Sequence, residues 1–330
     1  MNGLGEAGAA AAEWAAAEQA AAGFASHSRA AATLRAYQVD WTRFAAWCAR
    51  HGRVALPAAP GDVALFLAAE AASCKTATLQ HRLAAIIVRH RQEGLAFDAK
   101  APALVEVWRG IRRVKGVAKQ GKAPLLGPEL AAILAALPDT LAGKRDRALL
   151  ALTFSAALRR SEAVALDVGD LTWTSAGVVV RVARAKTDPD GKGASRAVPK
   201  GRGPGSCPVA ALKAWVTAAG LDEGPLFRPV DKWDRLGAGR ICDRTLVRIV
   251  KKAVETYGRR QGWSRATIAA KVGGVAGHSL RAGFATTAAA AGAEEWAIMK
   301  QTGHKKRESV QGYIRAAVDF DHHIGHQLGL

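Results

Sequence analysis

The sequence predicts a mainly α-helical protein with one small β-hairpin or sheet, arranged as a helical N-terminal domain and an α+β C-terminal domain. Hydrophobic residues make up 49% of the chain but aromatic residues only 6%, and the alanine-rich remainder is typical of packed helices. Between residues 170 and 200 the apolar spacing changes from three or four positions to alternation. A length of 330 residues is sufficient for two separate cores.

The first 115 residues predict an arm followed by four helices. Residues 1–27 form an alanine-rich arm, either a marginal helix or a disordered segment. From Ser28, apolar and aromatic side chains recur at helical spacing until Gly52. Further helical patterns begin at Pro60, Thr76 and Pro102. Residues 28–115 therefore predict one compact four-helix domain.

The rest of the chain predicts a linker and a larger domain. Residues 116–125 are rich in lysine and glycine and lack apolar periodicity, which favours either a solvated loop or a basic segment that crosses a nucleic-acid duplex. Residues 126–330 begin with two or three helices. A hairpin with a DPDGKG turn follows, with Lys186 at the end of its first strand, and helices then return.

The charge of the chain indicates a polyanionic partner. Its formal net charge is +19, from 47 basic and 28 acidic residues, and nucleic acid is the commonest partner for such a surplus. An anionic membrane is the rival, but the most apolar helical run, residues 148–158, is too short to span one. His90 is expected on the exposed basic surface of the N-terminal domain. The candidate nucleic-acid contacts are Arg82, Arg89, Arg112, Arg113, Lys115, Lys119 and Lys122.

Cysteine and histidine usage does not indicate a metal site. The four cysteines are scattered without a CxxC pair, which fits a reduced, cytoplasmic setting and no disulfide framework. The start of the chain lacks the pattern of a signal peptide. The HHIGH stretch near the end has no acidic or cysteine partner, so we expect no metal there.

Five polar stretches in the second domain carry side chains that local structure does not require. Each has an ordinary explanation when taken alone: an arginine at a helix end, a solvated strand lysine, a capping histidine or a surface tyrosine. The stretches are ALRRSE with Arg159, RAKTD with Lys186, GHSLR with His278 and Arg281, TGH with His304, and GYI with Tyr313.

Together these stretches resemble the catalytic motifs of tyrosine recombinases, the phage integrase family, and its Cre- and Xer-like members in particular. The likeness covers nearly everything after Ser28 and implies a four-helix, SAM-like core-binding domain before the catalytic domain, without the arm-binding domain of some members. Two positions depart from the pattern: Ala157 stands where glycine is usual, and Arg160 where an aliphatic residue is common. Both changes are expected to lie outside the contact atoms.

The resemblance implies a site-specific recombinase or integrase that cleaves and rejoins DNA through a 3′-phosphotyrosine link to Tyr313. His278 would be the general base, and Lys186 would protonate the leaving 5′-oxygen. Arg159, Arg281 and His304 would bind the phosphate, with Glu162 orienting the arginines. No metal, ATP or other cofactor is expected.

The implied partner is double-stranded DNA, bound at two recombination sites by a homo-tetramer whose free subunits are monomers or weak oligomers in the prokaryotic cytosol. The segment after Tyr313 is expected to pack on a neighbouring subunit. Two alternatives remain open at this point: a type IB topoisomerase-like relaxing enzyme with the same chemistry, and a DNA-binding regulator without catalysis.

Overall fold

A computed structural model of the chain describes residues 13–21, 23–24, 30–117, 121–183, 193–201, 203 and 205–314. The chain divides into two compact units, residues 1–120 and 121–330. Within the predicted arm, residues 13–21 and 23–24 are helical, and the remainder of residues 1–27 lies outside the described residues.

Among the described residues of unit 1 from residue 30 onward, four long helices follow one another, as the sequence predicts. Proline occupies the first helical position of two of them, where its missing N–H leaves no helical bond unmade. Gly52 and Gly94, which follow the first and third helices, adopt φ angles of 63° and 67°, a conformation that stops a helix. The helices are α1 (Ala31–Arg50), α2 (Pro60–Ala71), α3 (Thr76–Gln92) and α4 (Pro102–Lys115).

The core of unit 1 forms where the apolar faces of these helices meet. Phe44 of α1 and Phe66 of α2 are both fully buried, with ring centroids 5.1 Å apart in an edge-to-face arrangement. Leu79, Ile86 and Leu104 from α3 and α4 complete the same cluster. Burying each of these side chains contributes about 1.5–3 kcal/mol, so the core holds the helices together in spite of their basic surfaces.

Two basic residues predicted on the exposed surface of unit 1 are buried instead. Arg82 is 5% exposed, and its guanidinium is ion-paired with Glu70 and lies 3.6 Å from an Asp40 carboxylate oxygen. His90 is fully buried, and its Nε2 accepts a hydrogen bond from the backbone N–H of Ala58 at 2.8 Å. The predicted exposure of both was wrong because α1 and α2 supply the carboxylates near Arg82, and the loop between these two helices supplies the backbone donor to His90.

The end of the predicted linker is part of unit 2. The backbone N–H of Leu125 donates to the Ser279 carbonyl at 2.9 Å, and Leu125 is 2% exposed. Any side chain at Gly283 would overlap the Leu125 carbonyl, so glycine there permits the close backbone approach. The segment 116–125 is therefore not a solvated loop throughout.

Unit 2 surrounds a central helix, α6. Residues 148–153 of this helix are consecutively buried, as expected for a helix covered on every side. In the described part of the chain, no helix is both long and apolar enough to cross a membrane. The helices of unit 2 are α5 (Gly127–Ala135), α6 (Leu141–Ser155), α7 (Arg160–Ala165), α8 (Pro208–Ala218), α9 (Asp243–Arg260), α10 (Arg265–Gly274), α11 (Ser279–Ala290), α12 (Glu295–Thr302) and α13 (Arg307–Ile314).

A small antiparallel sheet interrupts the helices of unit 2. Its strands are β1 (Leu171–Trp173), β2 (Gly177–Val182) and β3 (Ala194–Pro199), in the order β1-β2-β3. The predicted hairpin is the β2–β3 pair, and β1 adds a third strand. The predicted fold class, mainly α with a small β-sheet, is confirmed. In sequence, Lys186 falls between β2 and β3, and it lies outside the described residues.

Candidate active site

The turn between α6 and α7 positions Arg159. Arg159 is the N-cap of α7, and Glu162 in the first turn accepts from the Arg159 backbone N–H at 2.8 Å. The other oxygen of the same carboxylate accepts from Arg159 Nη1 at 2.5 Å. Glu162 is 6% exposed, so a buried carboxylate orients the Arg159 guanidinium through a charge-assisted hydrogen bond.

Arg281, in the first turn of α11, is almost completely buried, with 1% of its surface exposed. Its Nη1 donates to the Ala157 carbonyl at 2.6 Å, and its Nη2 donates to His304 Nε2 at 3.2 Å. Burial, followed by the positive charge of Arg159, lowers the pKa of Arg281 to about 10. The side chain therefore remains cationic at neutral pH and is held from two sides.

Ala157 contributes to this site through its backbone. Its φ angle is +48°, in the left-handed region that favours glycine, and its carbonyl is the acceptor for Arg281. This contact uses the backbone carbonyl, which glycine would also supply, so the expectation that the substituted side chain lies outside the contact atoms stays a prediction. By contrast, Arg160 is exposed and ion-paired with Asp243 at 3.1 Å.

His304 follows the predicted helix end at Gly303, which is the left-handed C-cap of α12. The hydroxyl of Thr302 donates to the Ile298 carbonyl at 2.7 Å, so its oxygen accepts from His304 Nδ1 at 2.8 Å. The remaining nitrogen, Nε2, accepts from Arg281. Burial, and then the charges of Arg281 and Arg159, lower the pKa of His304 to about 4, so the ring is neutral with its proton on Nδ1.

Tyr313, on α13, lies beside His278, the N-cap of α11. The distance from Tyr313 Oη to His278 Nε2 is 2.7 Å. Val310, one turn before the tyrosine, is fully buried against α11 and α12 and fixes α13 there. Tyr313 is therefore a half-buried member of the site rather than a solvated surface tyrosine.

Electrostatics keep this pair neutral in the absence of DNA. Burial, followed by the charges of Arg281 and Arg159, lowers the pKa of His278. Burial raises the pKa of Tyr313, and the same two arginines oppose that increase. A neutral imidazole next to a protonated phenol is the state in which the histidine can accept the phenolic proton.

Five of the six predicted catalytic side chains thus converge in unit 2, and the sixth, Lys186, lies outside the described residues. Contacts or electrostatic coupling link the five to one another. Glu162 accepts a hydrogen bond from Arg159 and acts electrostatically on Arg281. The five are Arg159, His278, Arg281, His304 and Tyr313.

Sequence reasoning missed Arg196, a buried arginine on β3. It is 8% exposed, and its Nη1 donates to the Lys300 carbonyl at 2.9 Å, in the helix that ends just before His304. The signal was present in the alternation of β3, since Arg196 shares the buried face of the strand with Val198. Taken alone, however, an arginine in a strand of such a basic chain does not indicate a functional residue.

The predicted DNA-contacting residues differ in their surroundings. Arg112 and Arg113, in the last turn of α4, are exposed. Arg89 is ion-paired with Glu93 at 2.7 Å. Lys115 donates to the Ala71 carbonyl, and Lys122 donates to the Gly273 carbonyl at 2.6 Å. Arg82 is buried, and Lys119 lies outside the described residues.

Comparison with known proteins identifies relatives of this chain. The phage integrase family model matches residues 125–319. The integrase/recombinase xerD homolog of Selenomonas ruminantium is 37% identical over 292 residues, which cover 87% of this chain and 82% of that protein. Tyrosine recombinase XerC of Haemophilus ducreyi is 30% identical over 187 residues, or 56% of this chain and 51% of XerC.

Solved structures share the fold at low sequence identity. A lambda integrase dimer bound to a COC′ core site has a TM-score of 0.59 and 14% identity, covering 92% of this chain and 77% of that chain. XerH site-specific recombinase in a post-cleavage complex with its palindromic difH substrate has a TM-score of 0.54 and 16% identity, covering 87% and 75%.

The fold and the sequence likeness together define a site-specific DNA recombinase of the tyrosine class. This chain belongs to the phage integrase family.

Proposed function

We propose that this recombinase breaks and rejoins double-stranded DNA with Tyr313 as its nucleophile. The phenolic oxygen attacks a backbone phosphorus, the bond from phosphorus to the 5′-oxygen breaks, and a 3′-phosphotyrosine link forms. The observation that carries the proposal is the 2.7 Å distance from Tyr313 Oη to His278 Nε2, beside two arginines. A free phenol has a pKa of about 10, so it needs a base to become a nucleophile at neutral pH.

His278 supplies this base. Its lowered pKa keeps the ring unprotonated at neutral pH, and its Nε2 is within hydrogen-bonding distance of the proton to be removed. The proton passes from Tyr313 to His278 as the bond to phosphorus forms. A positioned base of this kind contributes about 10²–10⁴-fold to a rate.

The two arginines stabilise the phosphate as the attack proceeds. Negative charge builds on the non-bridging oxygens, and the planar guanidinium of each arginine presents paired N–H donors to such oxygens. Arg159 and Arg281 are pre-oriented by Glu162 and by the Ala157 carbonyl, so little reorganisation is needed during the reaction. Removing one of them is expected to cost on the order of 10²-fold in rate.

The departing 5′-oxygen must gain a proton, and Lys186 is our candidate donor on the basis of family resemblance. His304 contributes a neutral ring that holds Arg281 through Nε2. Its one N–H donates to Thr302, so its effect on the phosphate is exerted through Arg281. Because the bond energy is retained in the phosphotyrosine link, a free 5′-hydroxyl can reverse the step without ATP.

The DNA complex is proposed to be a homo-tetramer that holds two duplexes in the cytosol. Two observations support DNA as the partner: the net charge of +19, and the structural likeness to lambda integrase bound to a core site and to XerH bound to difH. The basic residues Arg112, Arg113 and Lys122 are proposed to contact phosphates.

The proposal is tested by trapping the covalent intermediate. The protein is incubated with a pool of nicked duplexes of randomised sequence. Cleavage of a phosphodiester bond close to the nick releases a short strand with the 5′-hydroxyl, and its loss prevents rejoining. We expect an adduct that survives denaturing electrophoresis with wild type and with the matched control Tyr257→Phe, but not with Tyr313→Phe. Sequencing the trapped strands then gives the recognition site.

Two results would contradict the proposal. An absence of adduct with wild type would indicate a DNA-binding regulator, and an equal amount of adduct with Tyr313→Phe would exclude this nucleophile. Relaxation of supercoiled plasmids that lack the recovered site would favour a topoisomerase-like activity over site-specific recombination.

A further inference from the structure

Arg196 occupies an unusual position for a charged side chain. It lies on the buried face of β3, 8% exposed, and pairs across the sheet with Val180. Its Nε has no hydrogen-bond partner among the described residues. Taking a guanidinium out of water costs several kcal/mol unless partners compensate for it, so the site holds this cation in place at a cost to stability.

The contacts of Arg196 lead to the turn that carries His304. Its Nη1 donates to the Lys300 carbonyl, one of the last carbonyls of α12, which have no partner within their own helix. Its Nη2 lies so close to Gly303 that any Cβ at that position would overlap it. The guanidinium thus caps the end of α12 and lies against the left-handed glycine just before His304.

A second contact fixes the same turn to the same strand. Gln301 Nε2 donates to the Ala197 carbonyl at 3.1 Å and to the Ser155 carbonyl at 2.8 Å. Strand β3 and the end of α6 therefore hold the residues that lead into His304. Because the Ala197 contact uses backbone, only Arg196 contributes a side chain of β3 to this anchorage among the described contacts.

Arg196 also belongs to the charge cluster of the site. The carboxylate of Glu162 and the guanidinium of Arg159 both act on it electrostatically, and its own positive charge acts in turn on Arg281 and His304. Glu162 thus serves two arginines, one that faces the phosphate site and one behind it. A buried cation at this place adds to the positive potential without a direct contact with DNA.

We propose that Arg196 is a positioning residue that anchors the His304 turn to β3 and, through His304, holds Arg281 in its phosphate-binding orientation. The inference rests on the proposed function for its effect on DNA cleavage, but the anchoring itself can be measured without DNA. A displacement of about 1 Å in a group that binds the reacting phosphate can cost on the order of 10²-fold in rate.

The first test compares single-turnover rates of adduct formation at saturating protein. Arg196→Met is expected to lower the rate on the order of 10²-fold with DNA affinity within about twofold of wild type, since the residue does not face solvent. Arg196→Lys, which keeps the charge and one donor, should recover part of the rate. The matched control is Arg181→Met, on the neighbouring strand, where the arginine is largely exposed and paired with Asp170.

A double-mutant cycle tests whether Arg196 acts through His304. If it does, Arg196→Met combined with His304→Gln should be no slower than the slower single variant, because both changes weaken the same support of Arg281, the one that His304 provides. Multiplicative losses in the double variant would overturn the inference. A rate for folded Arg196→Met equal to that of wild type would overturn it as well.

The second test needs no DNA. In the wild type, ¹⁵N NMR of the imidazoles should show His304 protonated at Nδ1 and titrating near pH 4, as its environment dictates. In Arg196→Met, or in Arg196→Lys if the first variant does not fold, the His304 titration should move towards the ordinary value of 6.5. His304→Gln assigns the signal, and Arg181→Met should leave it unchanged.

The two tests separate the inference from the proposed function. Absence of a covalent adduct with wild type refutes the proposed chemistry, and the His304 titration then still decides whether Arg196 anchors the turn. A wild-type adduct together with an unmoved His304 signal in both Arg196 variants overturns the inference alone.

Discussion

His278 Nε2 and the Tyr313 phenolic oxygen lie 2.7 Å apart, although 35 residues separate the two in sequence. The pKa of His278 is lowered and that of Tyr313 is raised, in both cases mainly by burial. Proton transfer from the free phenol is therefore unfavourable until a phosphate accepts the growing bond. The arrangement keeps the phenol of Tyr313 protonated in the free protein. It also places His278 where it can remove the phenolic proton during attack on the phosphate.

The first prediction is a pH profile for cleavage that depends on His278. The base must be unprotonated, and its folded pKa lies below 6.5, so the rate of adduct formation should fall only on the acid side of that value and stay level through neutrality. His278→Gln should remove the acid limb and lower the rate on the order of 10²-fold or more. Single-turnover cleavage between about pH 5 and pH 8 measures both.

The control for this profile is His81→Gln in unit 1, where the histidine pairs with Asp40 at 2.6 Å. This variant should keep the wild-type profile. An acid limb that persists in His278→Gln would assign the titration to another group and contradict the role of His278 as base.

The second prediction concerns the left-handed backbone at Ala157. Glycine relieves the strain of φ +48°, so Ala157→Gly should keep cleavage within about twofold of wild type. A β-branched residue cannot adopt this φ without a cost of about 2 kcal/mol, and it would displace the carbonyl that holds Arg281. Ala157→Val should therefore lose both stability and cleavage.

Urea unfolding and the adduct assay check this prediction, with Ala156→Val as the matched control. Ala156 is equally buried, but its φ is −85°, so the control reports overpacking without backbone strain. If the two valine variants lose the same stability and the same cleavage rate, the argument from backbone strain is wrong.

The sequence predicted the parts of the site that depend on side-chain type within short motifs. Arg159, His278 and Tyr313 each have an ordinary local explanation, but they could be identified because their residue types and order together match a known pattern. Helix positions in unit 1 could be predicted because apolar spacing, prolines and glycines are local signals.

The burial of charged residues could not be predicted in the same way. Arg82 and Arg196 both read as surface residues, because the groups that compensate their charge come from elements remote in sequence: Glu70 for the first, and Glu162 with the Lys300 carbonyl for the second. Likewise, Ala157 acts through its φ angle and its carbonyl, and neither is encoded by residue type.

The third prediction concerns glycine at the His304 turn. Gly303 and Gly292 both follow helices with φ angles of 65° and 74°, but only Gly303 faces Arg196, while a Cβ at Gly292 would meet nothing within 4 Å. Gly292→Ala should lower the free energy of unfolding by about 1 kcal/mol, because alanine is strained at this backbone conformation. Gly303→Ala should cost at least about 1 kcal/mol more, because of the steric overlap, and should slow cleavage.

Denaturant unfolding in the Arg196→Ala background provides the check. Without the guanidinium, the excess cost of Gly303→Ala over Gly292→Ala should largely disappear. Equal costs of the two glycine changes in the wild-type background would contradict the packing of Arg196 against Gly303.

The fourth prediction is a loss of stability in acid that depends on His304. Its pKa is about 4 in the folded chain against 6.5 ordinarily, so below pH 6.5 the unfolded state binds the proton first. The penalty grows as pH falls from 6.5 to about 4 and reaches about 2 kcal/mol at pH 5. At pH 7 the folded state is unprotonated and the unfolded state is protonated in only about a quarter of the molecules, so the effect is small, about 0.2 kcal/mol.

Comparison with His304→Gln isolates this contribution. Between pH 7 and pH 5, the free energy of unfolding should fall by about 2 kcal/mol more in wild type than in the glutamine variant. Parallel pH dependences would mean that the ring is protonated in the folded protein, and the assignment of its proton to Nδ1 alone would be wrong.

The fifth prediction separates structural from DNA-binding arginines in unit 1. Arg82→Met removes the buried arginine partner of Glu70, which keeps Arg43 at 3.2 Å and the Cys74 thiol at 3.8 Å, so stability should fall by about 2 kcal/mol or more. Arg112→Ala combined with Arg113→Ala removes two exposed charges and should leave stability within about 0.5 kcal/mol of wild type. DNA affinity should fall in the double variant and should change little in Arg82→Met, because DNA phosphates bind exposed cations rather than buried ones.

Urea unfolding and the salt dependence of DNA binding measure the two effects. Each phosphate contact contributes about 0.9 to the slope of log affinity against log salt concentration, so the double variant should lower the slope by about 2. Arg82→Met should leave the slope unchanged at a temperature where the variant is folded. A lower slope in Arg82→Met with wild-type stability would mean that this arginine leaves Glu70 to bind a phosphate, and its role would then be the one that its sequence context first indicates.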